Sequence, residues 1–187
     1  LGTRDEILAA ARRIMRERGY ARATTKEIAR AAGYSEAALY KHFTDKTEIF
    51  LGVLSEQLPA FSTVLGELEA GKGTVRANLA KIARAALDHY LESFPISASL
   101  FSTRELLTAH RDAMRERDSG PRNPHRALSR YLRAEQRLGR LPRAADPDAM
   151  ATLLLGACFQ QAFLLSFEGE PAPPLDTLAK SLVKPLL

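Results

Sequence analysis

Tryptophan is missing from these 187 residues, and cysteine occurs once, at Cys158. A lone thiol excludes an internal disulfide and any cysteine-cluster metal site. Its apolar neighbours Ala157 and Phe159 point to a buried cysteine in a reducing compartment, for which the cytoplasm is the natural place. The histidines at 42, 89, 110 and 125 share no metal-ligand spacing, and no serine or cysteine sits in a nucleophile motif. The sequence therefore gives no reason to expect an enzyme, a metal or a cofactor. Long apolar runs are missing too. The longest, Met150 to Leu165, is interrupted by Gln160 and Gln161 and falls short of the roughly 20 residues that a membrane span needs. The chain opens on a charged segment instead of an apolar signal region, although without an initiator Met, so a soluble protein is expected. No stretch alternates with period two for long enough to argue a strand.

What is present is ordinary globular composition, 45% hydrophobic and 26% charged, with a net charge of +5 that hints at an anionic partner. Apolar spacing of three and four residues recurs along the chain and predicts an all-α protein. A first helix begins at Thr3, with Glu6 reaching back as a capping partner, and stops at Gly19. A second runs over about 24–32 from a Thr24/Glu27 capping box, a third over about 36–42 from Ser35, and a fourth starts at Asp45 with Glu48 three residues on. Two short helices joined by a turn at Gly33 have the helix-turn-helix layout, whose second helix enters the DNA major groove. A helix in that groove must present small residues where its backbone nears the base edges, and Ala37 and Ala38 do so. Tyr40, Lys41 and His42 can reach bases or phosphates, while Ser35 and Thr25 stand at helix N-termini that favour a phosphate. Lys46 places a cation in the first turn of the fourth helix, where a nearby phosphate would explain it. A small helical subdomain with a solvated polar face would show similar punctuation.

The run TTKEIARAAGYSEAALYKHFTDKTEIF resembles the DNA-binding signature of the TetR family of bacterial transcriptional regulators. The resemblance covers about residues 3–54. It implies an N-terminal three-helix DNA-binding domain, placed at 1–46, and a helical ligand-binding and dimerisation domain over 47–187. It further implies that Thr25, Ser35, Ala37, Tyr40, Lys41, His42 and Lys46 contact operator DNA, and that a small-molecule effector relieves repression. Glu36 departs from the pattern, because the family often carries a basic or neutral residue there. An acid at that point would repel phosphate but could accept a hydrogen bond from a cytosine amino group.

The rest of the chain is read from spacing alone. Pro59 predicts a kink in a fourth helix extending to about Leu68. Gly66, Gly71 and Lys72 only approach a phosphate loop, since Gly73 replaces the hydroxyl residue and Glu67 and Glu69 would repel phosphate. A fifth helix is expected over about 75–94, ending before Pro95, and a sixth over about 97–117. Aromatic and Met residues on inward faces predict a mainly apolar cavity lined by some of Tyr90, Phe94, Thr103, Leu107, His110, Met114, Tyr131, Phe159 and Phe163. The competing reading of Thr103 and His110 is that core neighbours satisfy them. Arg122, Arg126, Arg130, Arg133, Arg137 and Arg140 form a basic stripe, read as a solvated face. Helices over about 147–167 and 175–187 carry more apolar surface than one small subunit buries. Leu154, Leu175, Leu178, Leu182 and Leu186 are therefore assigned to a two-fold homodimer interface. The alternative to a DNA-binding regulator is a helical interaction module that uses 147–187 to bind another protein.

Overall fold

A computed structural model describes residues 2–58, 61–169 and 171–187. Among these the regular structure is helical: α1 Thr3–Arg18, α2 Thr25–Ala31, α3 Glu36–Leu39, α4 Lys46–Glu56, α5 Phe61–Gly66, α6 Val75–Ser97, α7 Arg104–Glu116, α8 Asn123–Arg137, α9 Pro147–Glu168 and α10 Leu175–Val183. Short 3-10 turns follow α6, at Ala98–Phe101, and α10, at Lys184–Leu186.

Several boundaries differ from the sequence expectation, each for a local reason. Thr3 lies inside α1, whose cap is Gly2, and the Gly2 N–H donates to Asp5 Oδ2 at 3.2 Å. Pro95 does not stop α6, which runs on to Ser97. A proline removes one N–H but permits a last turn, and the chain then tightens into the 3-10 segment. The expected sixth helix starts later because Thr103 is its N-cap, with its side-chain oxygen 3.2 Å from the Leu106 N–H. The expected fourth helix appears as α4 and α5. The kink at Pro59 lies outside the described residues.

The chain forms two compact units, Leu1–Leu58 with Glu92–Ser119, and Pro59–Leu91 with Gly120–Leu187. The expected division at 46/47 does not hold, because α4 turns Ile49, Phe50 and Val53 into the same core as Ile7, Leu8 and Met15 of α1. Ile96, Leu100 and Leu106 complete that core from the second segment. At Gly52 the packing of α4 on α1 is so close that a Cβ would sit 2.8 Å from Leu8 Cδ2.

The second unit closes around Leu79, Ile82, Leu87, Leu128, Leu132, Leu154, Cys158 and Val183. It also buries a charge, for Glu135 is fully enclosed. One carboxylate oxygen accepts from the Gly71 N–H at 3.2 Å and the other lies 3.1 Å from Arg140 Nε. Arg140 also donates to the Gly73 carbonyl, and Asn78 Nδ2 donates to Tyr131 Oη and to the Lys72 carbonyl, both at 2.8 Å. The glycine-rich turn that faintly resembled a phosphate loop is thus fastened to α8 by a buried acid. Burial pushes the Tyr131 hydroxyl up to about 12, so it stays a neutral hydrogen-bonding group.

The longest apolar run was expected to fall short of a membrane span. As a helix it is longer: α9 has 22 residues, with a window of mean hydropathy 1.6, enough by length and composition to cross a membrane. One side, with Met150, Ala151, Leu154, Leu155 and Cys158, fills the second core, and Ala162 is buried on the same side. Leu153, Phe159, Phe163 and Phe167 remain exposed on its other side.

Candidate nucleic-acid interface

The helix-turn-helix is held by short-range bonds that the sequence announces. Thr24 Oγ1 accepts from the Glu27 N–H at 3.2 Å, and Glu27 Oε2 accepts from the Thr24 N–H at 3.3 Å, closing the capping box of α2. Gly33 makes the turn at φ +83°, a conformation cheap only for glycine. Ser35 Oγ accepts from the Ala38 N–H at 3.1 Å and starts α3. Leu39 and Phe43 then anchor the segment in the first core.

Helix α3 itself is shorter than the expected 36–42. Beyond Leu39 the chain tightens, with Lys41 N–H bonded to the Ala38 carbonyl and His42 N–H to the Leu39 carbonyl. The outer face is left open. Ser35, Ala37, Lys41 and His42 are exposed, and Tyr40 is 50% exposed. A small alanine flanked by hydroxyls, an ammonium and an imidazole presents donors to acceptors, which is the chemistry of a DNA surface.

Besides Ser35, which caps α3, four of the sequence-assigned residues, Thr25, Glu36, Tyr40 and Lys46, make side-chain contacts within the protein. Thr25 Oγ1 donates to Glu36 Oε1 at 2.5 Å and lies 3.3 Å from Tyr40 Oη. Glu36 therefore ties α3 to α2 instead of pointing freely outward, which gives the unexpected acid a structural reason. Lys46 turns inward: its Nζ donates to the Tyr20 carbonyl at 3.0 Å and sits 4.2 Å from the centre of the Tyr20 ring. Burial holds that ammonium below its usual range. Sequence spacing offered no signal for either contact, because both link residues that are far apart in the chain.

The residues assigned to a ligand cavity are distributed unevenly. Tyr90, Tyr131, Phe159 and Phe163 belong to the second unit, and Phe94, Thr103, Leu107, His110 and Met114 to the first. Tyr90 and Phe159 meet edge-on at 5.4 Å, and Phe61 joins Tyr90 at 6.3 Å. Thr103 is the α7 cap and Leu107 packs on the first core, while Tyr131 is committed to Asn78. His110 is half-buried, and burial lowers its pKa. Of the residues assigned to dimerisation, Leu154 is buried inside its own subunit and is corrected to a core residue. Leu178, Leu182 and Leu186 are half-buried against the second core, and Leu175 is half-buried. The apolar side chains that do reach the surface of α9 are Leu153, Phe159, Phe163 and Phe167, which the sequence reading did not assign to dimerisation.

Fold and surface together define an all-α protein with an N-terminal helix-turn-helix and a helical C-terminal part. Residues 7–53 match the family described as bacterial regulatory proteins, tetR family. The chain is 38% identical over 65 residues to the HTH-type transcriptional repressor AcnR of Corynebacterium glutamicum, a match covering 35% of each chain. It is 28% identical over 166 residues to the HTH-type transcriptional repressor Rv1474c of Mycobacterium tuberculosis, covering 81% of this chain and 88% of that one. The fold is that of the regulator FadR from Bacillus subtilis solved in complex with stearoyl-CoA, with a TM-score of 0.71, 17% identity, and coverage of 97% and 96%. That likeness shows the fold alone, and the chain spans about a third of the length of the first curated relatives it matches. The family match thus falls on the N-terminal segment, residues 7–53, which is similar to the tetR family of bacterial regulatory proteins.

Proposed function

We propose that the protein is a one-component transcriptional regulator, a homodimeric repressor that leaves its operator when a small apolar or aromatic molecule binds. The observation that carries this reading is the open face of α3. Leu39 and Phe43 are buried beneath it, while Ala37, Tyr40, Lys41 and His42 stand outward. Ser35, Ala37, Tyr40, Lys41 and His42 are the proposed contacts to operator DNA, with Thr25, Glu36 and Lys46 setting their position. The exposed apolar side of α9, joined by Leu178 and Leu182 of α10, supports a second copy of the chain as partner. Such a regulator works beside the chromosome, in the cytoplasm.

Two features support an apolar effector. Tyr90, Phe61 and Phe159 form an aromatic group in the second unit, and a neighbour of the same fold was solved with a long-chain acyl-CoA. Release requires that the ligand bind the DNA-incompetent arrangement better than the competent one. A typical coupling is about 1–3 kcal/mol. The reading is tested by selecting operator fragments from genomic DNA with the purified chain and titrating them at several salt concentrations. Sequence-selective binding that weakens steeply with salt is expected, and Ala37→Leu should abolish selectivity while leaving the melting temperature in place. Salt-insensitive or sequence-blind association would replace the regulator with an interaction module.

A further inference from the structure

The arginine stripe expected along α8 does not form one surface. Arg140 folds back onto Glu135 and the Gly73 carbonyl. Arg122, Arg126 and Arg133 instead line an open groove of about 510 Å³, which also takes in Asp148 and Thr152 of α9. Their positions explain the selection, because residues 122, 126, 129 and 133 fall on one face of the helix, whereas Arg130 and Arg137 do not line the groove.

The groove floor is already organised. Asp148 accepts hydrogen bonds from the buried Ser129 hydroxyl and from Arg133, which hold its carboxyl below the usual range. His125 Nε2 lies 3.0 Å from Thr152 Oγ1 and 3.2 Å from the Asp148 carbonyl, which fixes the ring against α9. The acid in the groove is thereby matched by Arg133. The guanidinium groups of Arg122 and Arg126, one turn apart, have no hydrogen-bond or ion-pair partner among the described residues. They flank the first turn of α8, which lacks a side-chain cap and so adds its own partial positive charge. Guanidinium forks match the oxygens of phosphate, and a concave site of a few hundred cubic ångströms suits a small molecule better than a duplex.

We propose that this groove is a binding site for a phosphate-bearing small molecule, whose anionic group bridges Arg122 and Arg126 while His125 and Thr152 border the remainder of the ligand. The site lies in the second unit and shares no residue with the α3 face, so its fate does not depend on the operator reading.

The test titrates the full chain with sodium pyrophosphate by calorimetry, without DNA, and repeats it with Arg122→Ala/Arg126→Ala and with Arg137→Ala. All three positions are exposed, and circular dichroism checks that each variant folds. Saturable binding of one pyrophosphate per chain is expected, weakened about tenfold or more in the double variant and by less than about twofold in Arg137→Ala. Absence of saturation at millimolar pyrophosphate overturns the proposal, and so does an equal loss in Arg137→Ala, which would mean diffuse charge attraction. A parallel arm offers vesicles of phosphatidylglycerol or phosphatidylcholine. Arginine-dependent sedimentation with phosphatidylglycerol, without pyrophosphate binding, would replace the small-molecule site with a lipid surface.

Discussion

The two units share local caps and distant pairs, such as Arg4 with Glu56 and Tyr34 with Glu6 in the first, but among the described residues only the second fully encloses an acidic side chain, Glu135. In the first, many of the side-chain hydrogen bonds are local: Thr24 with Glu27, Ser35 with Ala38, Thr44 and Asp45 with Glu48. In the second, the contacts that hold the structure join distant parts of the chain: Glu135 with Gly71, Asn78 with Tyr131, Ser129 with Asp148. Local caps each fix a helix end and act almost independently. A buried network acts together, since removing one member strands the others in a low-dielectric interior. The first unit should therefore lose stability in small steps and the second in one large one.

The sharpest way to break that contrast is Glu135→Ala. It leaves Arg140 without its acid and the Gly71 N–H without an acceptor, and should cost about 3–5 kcal/mol in denaturant unfolding. A cost below about 1 kcal/mol would mean that the network does not act as a unit. Next in size is Leu153→Glu, which places a charge on the exposed side of α9. Sedimentation should show the dimer weakened about a hundredfold, corresponding to about 2.7 kcal/mol, with secondary structure intact. A native monomer at micromolar concentration would remove this prediction and the dimer together.

A cap should matter less. Thr24→Ala removes the α2 cap and is expected to cost about 1 kcal/mol, read from the denaturant midpoint at unchanged slope. The smallest effect is a pH dependence of the same caps. Hydrogen bonds from Thr24 and Thr44 hold the carboxyls of Glu27 and Glu48 below their ordinary value of 4.5. Their contribution is therefore fully present above that value and is lost as pH falls through the lowered ones. The melting-temperature advantage of the native chain over Glu27→Gln/Glu48→Gln should shrink between about pH 5 and pH 3. An advantage that grows on acidification would reverse the assignment.

The same contrast explains which parts of the molecule could be read from sequence. Capping boxes and the Gly33 turn are patterns of neighbours, so the existence and order of α1 to α4 follow from spacing. The α3 end at Leu39 does not, because the tightening at Tyr40–His42 depends on burying Leu39 and Phe43 together. Lys46 looked like a phosphate ligand because a cation in a first turn lacks a local reason, and its partner, the Tyr20 carbonyl, is 26 residues away. The α8 stripe illustrates the same limit. Its arginines are periodic in sequence, yet Arg140 faces a buried acid, Arg133 faces Asp148, and Arg122 and Arg126 face a groove. Leu154 was placed outward by composition, whereas α9 is apolar nearly all round and periodicity cannot choose a face in such a helix.

The recognisable signature and the folded unit do not coincide. The family match stops at residue 53, yet the core it belongs to is completed by Ile96, Leu100 and Leu106. A chimaera cut at the end of the signature would strip those side chains from the core that Ile49 and Val53 share and carry it unfinished into its new host. On the proposed reading, specificity is transplanted by exchanging the outward residues Ala37, Tyr40, Lys41 and His42, with the scaffold beneath left whole.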